Sequence, residues 1–389
     1  MEDLLERVRG LACGRRLLDA AGDRGGVHLV GGAVRDLLLG RAPRELDVVV
    51  EGDVAELAAV LGARATTHER FGTATVTDAD CRWDLAASRA EEYARPGALP
   101  DVRPAPIDED LLRRDVTVNA IALDLASGEL RAVDHALDDL AARRLRVLHE
   151  VSFSDDPTRL WRIARYAARL GFELEEHTAR LFEQAVAAGV AERVSGTRIG
   201  GELRLALSES DPLAALEQVV GLGLAPWLQL DRERTAAALE LLPAGEGRPD
   251  LVLLACSLGE SADDADQRFA GLGFTAAERS VLRAAGRAPE VAAAGLAAER
   301  PSQVARVLRG LPVEAVAVAG AHGAAEPVRR WLAELRDVRL AIDGDDLLAA
   351  GIARGPHIGR RLAATLDRRL DGELGDDRDA QLAAALDLP

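Results

Sequence analysis

At 389 residues, 48% of them hydrophobic and 29% charged, the chain has globular composition and length for two or three domains. No run of about 18 uncharged apolar residues occurs, and the opening MEDLLERVRG is acidic and amphipathic. Neither a membrane span nor a secretory signal is therefore expected, and a cytoplasmic protein is. The net charge of −17 speaks on its face against nucleic acid, because neutralising phosphate requires basic residues.

Distribution matters more than the sum. The sequence contains no lysine, a bias that high genomic G+C content produces by itself; each basic contact is then a planar guanidinium able to make bidentate bonds. Cys13, Cys81 and Cys256 are odd in number and far apart, which argues against a disulfide framework and a thiolate metal site. The seven histidines show no paired ligand spacing.

In chain order, residues 1–24 read as one amphipathic helix, with Leu4, Val8, Leu11, Leu17 and Leu18 at helical spacing. Val27–Val30 and the valine-dense Leu46–Val50 read as buried strands, separated by a helix over Ala33–Leu39 that starts after Gly31-Gly32. Asp53 caps a helix over Val54–Leu61, Thr73–Ala87 alternates as a hairpin with an Asp-Ala-Asp turn, and Ile121–Asp134 is a hairpin turned at Ser127-Gly128. From about residue 146 strand signals nearly vanish, and alanine- and leucine-rich stripes run to the end. The expected fold is α+β: an N-terminal helix (1–24), a mixed-sheet head (25–145), a helical neck (146–230) and a helical body and tail (231–389).

The chemistry concentrates between His28 and Asp53. A strand ending in Gly31 and Gly32 at a helix start lets backbone N–H groups approach a triphosphate, with Arg35 on the first turn. Glu45 and Asp47, one residue apart on a strand, project from the same face and suit hard divalent cations such as Mg²⁺. Asp84 on the later hairpin is a third carboxylate. Two carboxylates beside a phosphate cradle suit two-metal phosphoryl transfer. Further on, Asp156, Arg159 and Arg162 read as one face of a helix, at i, i+3 and i+6, with Arg165 and Arg169 beyond. A carboxylate accepts from the exocyclic amine of C or A while a guanidinium donates to ring acceptors, so an Asp/Arg pair can imitate a complementary base.

GGAVRD, followed ten residues after its arginine by Glu45-Leu46-Asp47, resembles the head of class II tRNA nucleotidyltransferases and bacterial poly(A) polymerases, in the polymerase-beta-like superfamily. The family's usual pair is Asp-x-Asp; Glu45 departs from it while still offering an oxygen ligand. Leu111 to Ala120 is similar to the family's ribose-reading motif, which implies that Arg113, Arg114, Asp115 and Asn119 detect a 2′-hydroxyl. Asp155-Asp156-Pro157-Thr158-Arg159 resembles the neck motif that selects CTP and ATP. SGTRIGGEL, with Arg198 and Glu202 at i+4, is similar to the neck's structural motif and reads as a helix-supporting ion pair. Residues 342–362 resemble a tail element that tracks tRNA, implying phosphate contacts for Arg354, Arg360 and Arg361.

Within that family the Gly/Pro-punctuated stretch from Ser88 to Asp110 resembles the flexible loop that CC-adding enzymes lack. The segment HERFGTATV looks more like the tRNA enzymes, and the acidic tail lacks the basic extension of poly(A) polymerases. The resemblance implies addition of C, C and A to tRNA from CTP and ATP. A-only addition stays open, then poly(A) synthesis, and Glu45 leaves room for a catalytically weakened RNA-binding relative. Oligomeric state is not set by the sequence.

Overall fold

The computed structural model describes residues 4–62, 64–68, 72–78, 81–92, 97, 100–259 and 262–388. It divides into two compact units, residues 1–224 and 225–389.

The first unit begins with two helices, α1 (Leu4–Gly10) and α2 (Gly14–Ala21), where the periodicity predicts one. The break falls at Leu11–Cys13 because the chain doubles back. A Cβ on Gly14 would lie 1.8 Å from the Val8 carbonyl oxygen, so only glycine admits this turn. Then follow β1 (Val27–Val30), α3 (Gly32–Leu38), β2 (Leu46–Val50) and α4 (Val54–Leu61), α4 capped by the Asp53 side chain as its sequence position implies. The expected hairpin is β4 (Thr73–Asp78) with β5 (Cys81–Ala87), its turn at Ala79-Asp80 lying outside the described residues; β3 (Arg64–His68), not anticipated, pairs outside β4. The Gly/Pro-punctuated stretch contains a two-stranded ribbon, β6 (Arg89–Glu92) with β7 (Asp101–Pro104), then α5 (Ile107–Leu112). A single 3₁₀ turn at Thr117–Asn119 leads into β8 (Ile121–Asp124) and β9 (Leu130–Ala132).

These strands form one sheet in the order β3-β4-β5-β2-β1-β8-β9. Only β2 and β5 run parallel, joined by the crossover through α4, β3 and β4. One face buries Val30, Val49, Ala120 and Ala122 against Ile107 and Leu111 of α5. Helices then take over: α6 (Ala136–Ala141), α7 (Ser152–Asp155), α8 (Thr158–Leu170), α9 (Glu176–Ala187), α10 (Gly196–Leu207) and α11 (Pro212–Gly221).

The second unit is helical throughout its described elements, from Arg232–Leu241 to Arg378–Leu386. One of its cores is built from small and aliphatic side chains, such as Ala238, Val252, Ala288, Ala315 and Val318, while Trp331 and Phe269 are buried elsewhere in the unit. No described helix is long and apolar enough to cross a membrane.

The cysteine reading needs correction. Cys13 and Cys81 form a disulfide with Cα atoms 5.5 Å apart. Sixty-eight residues separate them in sequence, but the α1–α2 turn folds onto β5, where the Trp83 indole also donates to the Cys13 carbonyl at 3.3 Å. Closing a loop of that length stabilises the fold by about 4 kcal/mol in chain-entropy accounting. Thiol titration of the denatured, unreduced protein is expected to find one reactive cysteine, Cys256, and dithiothreitol should lower Tm by several degrees; three thiols before reduction would show the pair unbonded.

Candidate active site

Parallel pairing of β2 with β5 sets Asp47 directly opposite Asp84. Glu45 enters the same cluster from the start of β2, and the three side chains each offer an oxygen within 4.8 Å of the others. Thr75 Oγ1 donates to Asp84 Oδ1 at 2.6 Å and fixes that carboxylate, while Arg82 approaches at 3.1 Å. Burial, and then the Glu45 charge, push the Asp47 carboxyl up to about 6. A carboxyl that resists ionisation, as Asp47 does, is one that a bound cation would relieve.

Beside it lies the glycine turn. Gly31 has φ +67°, a conformation that L side chains rarely adopt, and a Cβ there would stand 2.9 Å from Arg114 Nη1, so a larger residue would strain the turn and displace the arginine. Arg35 is 2% exposed and points inward, donating to Asn119 Oδ1 at 2.5 Å and to Asp36. Two side-chain partners thus hold its guanidinium inward, where it still lines the cavity shared with Gly31 and Gly32. Arg113 and Arg114 both bind the fully buried Asp110, and Arg113 also binds Glu91.

Asp115 joins this side to the helices. Its Oδ1 accepts from Val116 N and Asn119 Nδ2, at 2.9 and 3.1 Å. Its Oδ2 accepts from Arg162 at 2.7 and 2.9 Å and from the Tyr166 hydroxyl at 3.0 Å. Both oxygens are thus occupied within the protein, and the arginine and hydrogen bonds hold the Asp115 carboxyl well below the usual range despite its burial. Burial pushes the Tyr166 phenol up to about 12, so the hydroxyl remains a donor at neutral pH.

The helix reading is corrected in one respect. Asp156 precedes α8 instead of lying on it, because Pro157 opens the helix and Asp156 Oδ1 accepts from Thr158 N at 3.1 Å. The same oxygen accepts from Arg198 at 2.8 Å. Arg198 and Glu202 therefore do not form the expected i+4 pair: Glu202 instead faces Arg165 at 3.6 Å and Arg162 at 3.9 Å. Arg159 is 4% exposed, anchored to Ser152 Oγ at 2.6 Å and to the Arg113 carbonyl at 2.8 Å.

One cavity of about 600 Å³ collects these groups: Gly31, Gly32, Glu45, Asp47, Asp156 and Arg159 all line it, as do Arg35, Arg113, Arg114, Asp115, Asn119, Arg162 and Arg165. Asp84 lies outside that lining, bordering a neighbouring cavity with Glu45. The three tail arginines belong to the second unit. Arg354 and Arg360 are exposed, while Arg361 donates to the Ala385 and Leu386 carbonyls at 2.9 and 3.0 Å and caps the last helix. Arg169, named with the neck arginines, also lines the large cavity, as do Arg44, Glu91 and Tyr166, which were not anticipated. Arg44 and Tyr166 carried a usable signal, since one adjoins Glu45 and the other is at i+4 from Arg162.

A mixed sheet that presents adjacent carboxylates beside a glycine-ended strand and helix start defines the class of polymerase-beta-like nucleotidyltransferases. The Poly A polymerase head domain family matches residues 27–146. An A-adding tRNA nucleotidyltransferase of Geobacter sulfurreducens is 34% identical over 93% of this chain and 45% of its own length. A CC-adding tRNA nucleotidyltransferase of Deinococcus radiodurans is 36% identical over 88% of this chain and 84% of its own. Among solved structures, a CCA-adding enzyme complexed with ATP superposes with a TM-score of 0.80 at 28% identity, covering 99% of this chain and 97% of that one. The Thermotoga maritima CCA-adding enzyme complexed with tRNA gives 0.72 at 28% identity, covering 95% and 93%. The chain belongs to the family of class II tRNA nucleotidyltransferases and bacterial poly(A) polymerases. It spans less than half the length of the A-adding relatives it matches.

The raised Asp47 carboxyl has a thermodynamic consequence. In metal-free protein the stability present below pH 3.8 is lost as pH rises through about 6, because the folded state holds the proton longer than the unfolded chain. Asp47→Asn should remove that loss: in EDTA its Tm should match or exceed wild type at pH 7.5, with the advantage disappearing near pH 4, while nucleotide addition is abolished. A variant less stable than wild type at pH 7.5 would contradict the assignment of Asp47 to a crowded ligand cluster.

Proposed function

We propose that this protein adds C, C and A to the 3′ end of tRNA, taking CTP and ATP and using no nucleic-acid template. The observation that carries this reading is the shared cavity, in which Glu45 and Asp47 and the Asp156/Arg159 pair face one nucleotide-sized space. In this reading the glycine turn and the start of α3 take the triphosphate. Asp156, steadied by Arg198, accepts from the exocyclic amine of C or A, and Arg159, steadied by Ser152 and the Arg113 carbonyl, donates to a ring acceptor. Uracil and guanine present a carbonyl where the amine is required and are refused. Arg113, Arg114, Asp115 and Asn119 shape the ribose side of the cavity, with Asp115 acting through Asn119 and Arg162. Mg²⁺ held by Glu45, Asp47 and Asp84 would activate the attacking 3′-hydroxyl and stabilise the pyrophosphate leaving group. Glutamate at position 45 fits that role, since its carboxylate already meets the two aspartates. We assign residues 146–230 to base selection and the later helices, including Arg354 and Arg360, to RNA contact.

A second reading, addition of the final A alone, is favoured by one observation: the Geobacter relative that aligns over most of this chain is an A-adding enzyme. Incubation with tRNA, tRNA-C and tRNA-CC, each with labelled CTP or ATP, separates the two. Full CCA addition predicts incorporation of CMP onto the first two substrates and AMP onto the third. Incorporation confined to AMP on tRNA-CC would establish the A-only reading in its place, and no incorporation anywhere would remove both.

A further inference from the structure

Apart from the residues used above for metal, triphosphate and base, the large cavity has a third wall built around one buried carboxylate shared by three guanidiniums. Glu209 follows α10, and its side chain is 3% exposed. It accepts from Arg44 Nη1 at 3.0 Å, from Arg165 Nη1 at 3.1 Å and from Arg169 Nε at 2.9 and 3.0 Å. Glu202 adds a second acid, 3.6 Å from Arg165. With Glu202 counted whole, and Asp36, which also acts on Arg169, counted together with its partner Arg35, four arginines against three carboxylates leave a positive excess on a wall that faces the cavity.

The three guanidiniums on Glu209 differ in access. Arg165 is 7% exposed and contributes field alone, whereas Arg169 is 24% and Arg44 50% exposed. Arg44 has a further distinction: with Glu45 it also lines the second cavity, of about 470 Å³, which lies between the α1–α2 turn and Asp84. The guanidinium thus stands where the two cavities meet, next in sequence to a carboxylate of the cluster. Along α8, Arg165 and Arg169 are roughly 9 and 15 Å beyond Arg159 at 1.5 Å per residue, away from the base-reading end. Leu205, 45% exposed on the same wall, offers an apolar face to a ribose or base.

We infer that Arg44, Arg165 and Arg169, gathered by Glu209, form a subsite for the last phosphodiester group of the RNA being extended. The inference rests on the proposed function, because a polymer end must approach the carboxylates from across the incoming nucleotide. Glu209 is a positioning residue: it orients guanidiniums that would otherwise splay, and its bonds tie Arg44, just before β2, to Arg165 and Arg169 of α8. The cluster bonds phosphate oxygens through planar, charge-assisted donors.

The test uses the full chain with Arg44→Gln and Arg169→Gln, reading two quantities separately. Filter binding of tRNA lacking its CCA end, over a range of salt, needs no catalysis; KM for CTP and ATP is taken at saturating tRNA. Each variant is expected to raise the tRNA Kd about 5- to 10-fold and to reduce the salt slope by about one, with nucleotide KM unchanged within about twofold. Arg169→Lys, which keeps the charge, should recover part of the affinity, guarding against a variant that merely loosens the fold. A raised nucleotide KM with unchanged tRNA Kd would give the cluster to the triphosphate and overturn the inference. No change in either would make it an internal clasp and overturn it equally. If wild-type protein binds tRNA but adds nothing, the proposed function fails while the Kd comparison still judges the subsite.

Discussion

The first unit's site depends on a buried carboxylate with no chemistry of its own. Asp115 draws donors from two directions, Val116 N and Asn119 on the sheet side, Arg162 and Tyr166 on the helix side. Through Asn119 the connection continues to Arg35 and so to the glycine turn. A carboxylate this deeply buried is tolerable only when its lone pairs are filled, and here the groups filling them are the ones whose relative placement matters. Desolvation raises its carboxyl and the surrounding donors lower it; the donors win and hold it well below the usual carboxylate range.

The cluster of Glu45, Asp47 and Asp84 follows the opposite logic. Asp47 and Asp84 are brought together by strand register, with Glu45 beside them, and no arginine neutralises the group fully. Burial, and after it repulsion from Glu45, pushes Asp47 up to about 6, whereas arginine and hydrogen-bond donors drive Asp115 down. Pairs of acids whose surroundings move them in opposite directions mark a division of labour: one carboxylate maintains architecture and another is kept unsatisfied for a ligand. Stability given up at Asp47 is offset elsewhere, in the sheet core and in the Cys13–Cys81 link that secures the N-terminal helices to β5.

Much of this was readable from local pattern. Valine-rich runs announced β1 and β2, Gly31-Gly32 announced the turn, and the i+2 spacing of Glu45 and Asp47 put both on one face. What sequence could not supply was pairing across distance. Asp84 was identifiable only as an acid on a strand; that it faces Asp47 follows from the parallel register, which nothing local encodes. Cys13 and Cys81 looked unrelated for the same reason. β3 escaped because RATTH lacks an apolar alternation, and the split between α1 and α2 escaped because the leucine spacing persists across the Gly14 turn. Glu209, in Ser-Glu-Ser after a helix, reads as ordinary solvated charge until the three arginines converge on it.

Asp115→Asn bears most directly on the central claim, that this one carboxylate holds α8 in place beside the Glu45, Asp47 and Asp84 cluster. Denaturant unfolding of the variant, with Mn²⁺ and ATP affinities measured alongside, separates architecture from ligation. The account predicts a loss of about 3–5 kcal/mol in stability, weakened nucleotide binding and unaltered Mn²⁺ affinity. Wild-type stability together with undiminished nucleotide binding would contradict it.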